Sequence, residues 1–287
     1  MRTRQKVIVS LLLRAATEPT RTQLMKWLFL LRQESPLRDD PTFYDFLPYR
    51  YGPFSFEAYR ELDALAQIGI LESRSLRIRR EALGAARAVE SALPLRTQQA
   101  AAETVARYGA WSTRRLREDV YRRYPWYASR SELRRVRKAA PSAPLAVYTV
   151  GYEGRSIDRF LDELLRRGMR GLIDVRSNPM SRKYGFSGNT LRRLARKVGI
   201  AYHHFPELGI PSTLRQGMEA PAARSRLLDW YEREILPRRS EHVEQVGRLL
   251  ATHAFTLVCF EADARSCHRS RLGAALAAVT ALPLAHL

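Results

Sequence analysis

With 287 residues, 45% of them hydrophobic, the chain is long enough for two domains with cores of their own, and wholesale disorder is excluded. Its 49 Lys and Arg against 29 Asp and Glu leave a net charge of +20, divided as about +12 up to residue 140 and about +8 beyond it, so both halves are basic. Cys259 and Cys267 form neither a disulfide framework nor a CxxC pair, and no apolar run nears the ~20 residues that span a bilayer, so a cytoplasmic protein with no membrane partner is expected.

The run Val7–Leu13 is too short for a span or a leader and continues into an amphipathic helix over residues 4–16, with Val7, Ile8, Leu11 and Leu12 on one face. Thr20 or Thr22 caps a second helix, Gln23–Gln33, whose Leu24, Trp27, Leu28 and Leu31 are helically spaced. After a loop at Pro36–Pro41, the aromatic run TFYDFLPYRYGPF over 42–54 contains Pro48, Gly52 and Pro53 and is expected to be extended and turn-rich. A third helix, Ser55–Gln67, stops at Gly69 before a short strand, Ile70–Leu76, with basic residues continuing to Arg80.

Helix, helix, loop, helix, small β-element is the order of a winged helix-turn-helix domain, which places one helix in a DNA groove and a wing on the backbone. A helical protein-interaction module is the alternative reading, and Phe43, Tyr44, Phe46, Tyr49, Tyr51 and Phe54 serve equally well as core or as a base-stacking surface. Two further helices follow, Thr97–Tyr108 and Arg114–Arg123, the latter capped by Ser112. The segments KWLFLLRQE, YGPFS, a helix ending in GIL, and LREDVYRRYPWY resemble the N-terminal winged-helix domain of SocA-like and Panacea-type antitoxin proteins over residues 5–127. That resemblance implies a recognition or partner-binding module without a catalytic set.

Ser129–Pro144 is Arg/Lys-rich and then Ala/Pro/Ser-rich, which places a linker near 138–145 between a domain at 1–140 and a second at 146–287. Strand Ala146–Val150 ends in Gly151-Tyr152-Glu153-Gly154, and Ser156 caps a helix with the stripe Ile157, Phe160, Leu161, Leu164, Leu165, closed by Gly168. Strand Gly171–Val175 completes a βαβ unit, for which a parallel pair with a right-handed crossover is expected. The loop RSNPMSRKYGFSG from Arg176 to Gly188 offers Ser177, Ser181 and Arg176 to a phosphate, although no phosphate-loop consensus is present.

Helix Thr190–Val198, strand Ala201–Phe205, helices Ala222–Leu236 and Ser240–Thr252, strand Phe255–Phe260 and a last helix, Cys267–Ala278, complete the order. The fold class is therefore α/β, with an N-terminal winged helix-turn-helix-like α domain and a C-terminal doubly wound, mostly parallel α/β domain. Ligands of such sheets bind beyond the carboxyl ends of the strands. Tyr152, Glu153, Asp174, Arg176, His203, His204, Glu261, Cys267, His268 and Arg269 all fall at or just past strand ends, so one crevice is expected to collect them.

In sequence order, TVGYEGRSIDRFLDEL, LIDVRSNPMSRKYGFS, IAYHHFPELG and LVCFEADARSCHRSRL resemble the domain-of-unknown-function 488 family over about residues 147–275. The family's pattern is a strand-TxGxS/E start, a DVR-x-x-P-x-S loop, a Y-x-H-x-P-x-LG strand and a C-x-E-x5-CHR end. Ile210 departs from it, standing where a second glycine often follows LG. The resemblance implies an α/β fold, an uncharacterised activity and an association with nucleic acid or DNA repair.

The preferred reading is a nucleic-acid-binding, metal-free enzyme of hydrolase or glycosylase-like type, needing no cofactor, that acts on a nucleic acid, base or nucleotide in DNA repair, modified-base processing or phage defence. The charge excess supports a nucleic-acid partner, DNA in preference to RNA, because neutralising phosphates releases counterions. Asp174 or Glu261 is the expected base or electrostatic stabiliser, His268 the acid/base and Cys267 either the nucleophile, with the N-terminus of its helix favouring the thiolate, or equally a structural thiol at a helix start. Tyr152, Arg176, Ser177, Ser181, His204 and Arg269 are expected to hold substrate or phosphate. A metal centre at Cys259, Cys267 and His268 is disfavoured, because adjacent Cys and His side chains at a helix start are expected to diverge and zinc-finger spacings are absent. A non-catalytic DNA-binding regulator or sensor that takes a nucleotide or modified base in the crevice is the alternative.

Overall fold

The computed structural model describes residues 1–133, 141–215 and 220–287. The chain divides into two compact units, Met1–Ala139 and Ala140–Leu287. The linker expected at 138–145 falls partly on 138–140, outside the described residues. No helix among the described residues is long and apolar enough to cross a membrane.

In the first unit, α1 (Thr3–Arg14) and α2 (Arg21–Glu34) are followed by a hairpin of β1 (Leu47–Tyr49) and β2 (Gly52–Phe54), then α3 (Phe56–Gln67), α4 (Leu83–Ser91), α5 (Leu95–Tyr108) and α6 (Thr113–Arg123). Thr20 closes a capping box on α2: its Oγ1 accepts the Gln23 amide at 3.1 Å, and Gln23 Oε1 accepts the Thr20 amide at 2.9 Å. Ser112 caps α6 through the Arg115 amide. α1 packs on α4 and α5, and α2 on α5 and α6, around a core that includes Trp27, Phe29, Phe43, Tyr44 and Phe46. Most of the aromatic run is thus core: Phe29 meets the edges of Phe46, Tyr124 and Tyr127, while Tyr51 is exposed.

The strand expected at Ile70–Leu76 is not formed as a strand. Residues 70–79 make a tight antiparallel turn with one bridge, Leu71 to Ile78, and Arg74 takes a left-handed conformation at φ 70°. The hairpin β1–β2 instead precedes α3, with Pro48 paired to Pro53. Two prolines, neither with an amide to donate, fit opposite each other only where a ladder makes no hydrogen bond.

The second unit contains a five-stranded, wholly parallel sheet built from β3 (Val147–Gly151), β4 (Gly171–Asp174), β5 (Ala201–His204), β6 (Phe255–Cys259) and β7 (Leu284–His286), in the order β5-β4-β6-β3-β7. The intervening helices are α7 (Ile157–Arg166), α8 (Gly188–Lys197), α9 (Pro221–Trp230), which runs through a π-helical stretch, Tyr231–Ile235, into α10 (Leu236–Arg238), then α11 (Ser240–Thr252) and α12 (His268–Thr280). The chain winds one way from β3 to β5 and back from β5 to β7, so right-handed crossovers place α7 and α8 on one face and α11 and α12 on the other.

Alternation along the strands feeds both layers. Val147, Ile173, Phe255 and Leu257 join Val243, Val246 and Leu250 of α11 and Leu272 and Leu276 of α12 in one core. Tyr148, Val150, Leu172 and Val258 are buried on the other side, toward the α7 stripe Ile157, Phe160, Leu161 and Leu164. Gly151 pairs with Cys259, Asp174 with Val258 and with His204, so the carboxyl ends of β3, β4, β5 and β6 form one level rim.

Candidate active site

The polypeptide crosses this rim between β6 and α12. At Gly151 the crossing loop lies so close that a Cβ would stand 1.7 Å from the Glu261 carbonyl oxygen, so no side chain fits at the end of β3. Arg269, buried in the first turn of α12, donates to the Glu261 carbonyl and, at 3.0 Å, to that of Ala262. The Ala262 amide donates to the Glu153 carboxylate at 2.9 Å. The loop is therefore pinned from three sides, and Arg269, expected to hold phosphate, is turned inward onto main-chain carbonyls.

Beneath the loop, Cys259 at the end of β6 and Cys267 and His268 at the start of α12 come together, all buried. His268 Nδ1 is 3.8 Å from the sulfur of Cys259 and 3.8 Å from that of Cys267. His268 Nε2 lies 3.1 Å from the Val175 carbonyl, which only accepts, so Nε2 carries a proton and Nδ1 faces the sulfurs. Cys259 Sγ lies 3.2 Å from Glu261 Oε2. The expectation that Cys267 and His268 diverge is corrected: Cys267 is an extended N-cap, φ −133° and ψ 141°, and this conformation turns its sulfur back toward the ring.

Burial opposes ionisation of Cys267, but a hydrogen bond from Cys259 and the charges of His268 and Arg269 outweigh it and hold the thiol well below its ordinary range. Accordingly, the hydrogen bond to Cys267, together with burial, raises Cys259. Burial works against the charged His268 ring, yet the neighbouring Cys267 sulfur raises it. Glu261 is raised by burial and by the charge on Cys267.

Asp174 and Arg176 stand at the same rim but in the α7/α8 layer. Arg176 Nε donates to Asp174 Oδ1 at 2.8 Å and Nη2 to Oδ2, while Nη1 donates to Tyr152 Oη at 2.8 Å and to the Phe186 carbonyl at 2.9 Å. Tyr202 Oη donates to Asp174 Oδ2 at 2.8 Å, and Tyr152 stacks on Phe186 at 4.2 Å. Both charges are buried and bonded to each other, which leaves Asp174 with no face to offer as a base and Arg176 largely committed. His204 Nε2 lies 2.8 Å from the Arg176 carbonyl. Ser177 is half-buried beneath the LG turn, where a Cβ on Gly209 would meet the Ser177 amide at 2.1 Å.

The single crevice expected from the sequence is resolved into three adjoining hollows. The largest, ≈ 410 Å³, is lined by Glu153, Phe260, Glu261, Asp263, Ser266, Cys267 and His268, with Ile210, Leu227, Leu228 and Arg224 opposite. Across Phe260 lies a second, ≈ 240 Å³, with Tyr152, Arg176, Asn178, Met180, Ser181 and Cys259. A third, ≈ 210 Å³, shares Asn178 and Met180 with it and reaches Ser187, Gly188, Arg192, Tyr202 and His204 at the N-terminus of α8. Glu261, Cys267 and His268 thus meet at one hollow, Tyr152, Arg176 and Ser181 at the next and His204 at the last.

Sequence reasoning left out Arg224, Asp263, Arg192 and Tyr202 as site residues. Tyr202 carried a signal, since it alternates with His204 one strand away from Asp174; Arg224 and Arg192 carried none beyond charge. Residues 156–276, from the N-cap of α7 into α12, match the family model described as Domain of unknown function DUF488. No curated protein and no solved structure matches the chain.

Proposed function

We propose that the α/β unit takes one nucleotide unit of a nucleic acid along the rim and acts on it by hydrolysis, in the manner of a glycosylase, in DNA repair or modified-base processing. The observation that carries this reading is the thiol–imidazole–carboxylate cluster of Cys267, His268 and Glu261 at the wall of the ≈ 410 Å³ hollow. Phe260, 43% exposed, gives that hollow an aromatic wall on which a heterocycle can stack. Glu153, Glu261 and Asp263 supply acceptors for ring and amino N–H groups and exclude phosphate from this end. The opposite end combines the first amides of α8 with Arg192 and His204, a setting suited to phosphate.

In this reading Glu261, with its proton affinity raised, transfers the proton, and the charge pair Cys267–His268 stabilises developing charge beside it. The basic N-terminal unit supplies affinity for the DNA partner, and a base held in a duplex has to leave the stack first. The burial of both sulfurs favours a second reading, a cytoplasmic regulator that binds a nucleotide or modified base without turning it over. Release of base from oligonucleotides carrying natural and modified bases, followed by chromatography, separates the two. Glu261→Gln is expected to lower turnover by about 10²- to 10⁴-fold with DNA affinity unchanged. Absence of release from every substrate, with a ligand response lost in the variant, selects the regulator; affinity flat against salt rules out the DNA partner.

A further inference from the structure

We propose that Cys259, Cys267 and His268 form a three-residue binding site for a thiophilic divalent cation, Zn²⁺ by its donor set, with the fourth position left to water or a ligand from the hollow. The sulfurs and His268 Nδ1 all lie within 4.8 Å of one another, and both sulfur–nitrogen separations are 3.8 Å. A tetrahedral ion with bonds of ~2.3 Å to sulfur and ~2.0–2.1 Å to nitrogen places its ligands about 3.5–3.8 Å apart. Glu261 Oε2 is 3.2 Å from Cys259 Sγ, beside this three-residue set and not part of it.

Two sulfurs at equal distance from one ring nitrogen are redundant for a nucleophile and its base, which need one thiol. Around a shared ion each has a role. The imidazole is already oriented for it: Nε2 is held by the Val175 carbonyl, which leaves Nδ1 to coordinate, the arrangement that supports ligating histidines elsewhere. The ligands also come from rigid places, the last residue of β6 and the first turn of α12, with the loop between them tied down by Arg269. Sulfur and imidazole select Zn²⁺ over Mg²⁺ or Ca²⁺, which take oxygen. The carboxylates of Glu153 and Asp263 at the same hollow add local negative charge in a chain that is otherwise basic. Both sulfurs bind as thiolates, so coordination releases to solvent the proton that Cys259 holds.

The inference rests on ligand geometry and not on the substrate reading, so it is tested without nucleic acid. The full chain, reduced under argon, is titrated with Co²⁺ and followed by absorption. One equivalent is expected to give thiolate-to-cobalt charge-transfer bands and tetrahedral ligand-field bands, both lost on adding Zn²⁺. Cys259→Ser and Cys267→Ser are expected to lose the charge-transfer bands stepwise, and Glu261→Gln, beside the Cys259 sulfur, to weaken affinity by about 10- to 100-fold. X-ray absorption of the Zn²⁺-loaded wild-type chain needs no variant and is expected to show two sulfur and two lighter ligands. Binding through oxygen and nitrogen alone, no charge-transfer band in the folded reduced protein, or bands that survive both cysteine substitutions would overturn the site.

Discussion

Two buried polar clusters stand a few residues apart on the same rim, and they differ in what is left over. In the Asp174–Arg176 cluster both carboxylate oxygens are bonded, and Nε and both terminal nitrogens of the guanidinium donate within the protein. In the Cys259–Cys267–His268 cluster the partners sit at sulfur–nitrogen distances of 3.8 Å, and all three border a cavity, Cys267 and His268 the largest hollow and Cys259 the next. Charge at a strand end is therefore not by itself a mark of chemistry. A saturated ion pair fixes a loop; an incompletely satisfied set of donors beside a hollow is available to a ligand.

The strongest way to break this contrast is to unpair the saturated cluster. Asp174→Ala leaves a buried guanidinium without its carboxylate and is expected to cost about 3–5 kcal/mol in urea unfolding; a loss under about 1 kcal/mol would mean the pair behaves as a surface bridge. Arg269→Met is expected to cost less, about 1–3 kcal/mol, because it strands the Glu261 and Ala262 carbonyls and leaves both cysteines in the chain. Its signature is protease cleavage between 260 and 267, and an unchanged cleavage pattern would remove Arg269 from the account.

Lys26 in the first unit sharpens the comparison with an effect that is small at each step and spread over a range of pH. Its Nζ reaches the Tyr51 carbonyl at 2.6 Å and that of Pro53 at 3.3 Å, acceptors that match the two N–H groups of a neutral amine. Burial, with Arg117 contributing, pushes it down to about 7 from 10.5. Between those values the unfolded chain binds the proton and the folded one does not, so stability rises with pH through that window, by at most about 1.4 kcal/mol per unit. Urea midpoints measured across it are expected to climb in the wild type and stay flat in Lys26→Met.

The periodic elements of the α/β unit were legible because each is strongly patterned: β3, β4, β5 and β6 lie within a residue or so of the apolar runs that foretold them, and Ser156 caps α7 as its position implies. β7 was not, since α12 ends at Ala281 in a left-handed turn, φ 56°, where no glycine announces a stop. α4 was missed because Leu83–Ser91 is alanine-rich and buries only Ala86. For the site, strand ends told which residues reach the rim, but not which layer receives each side chain. Asp174 and Cys259 both end strands; alternation sends one toward α8 and the other toward α12, and only coordinates distinguish a bonded arginine from a free one.

One contact at the rim has a consequence for how the site can vary. The Glu261 carbonyl rests directly on the Cα of Gly151, as the Ser177 amide rests on Gly209, so at these two points the rim that carries the hollow is main chain laid against main chain. Such a rim has no side chain to swap at these two points and little room to yield. Differences in what is admitted must then be written in the residues that overhang it, Phe260, Arg224, Leu227 and Leu228, as interchangeable walls on a fixed foundation.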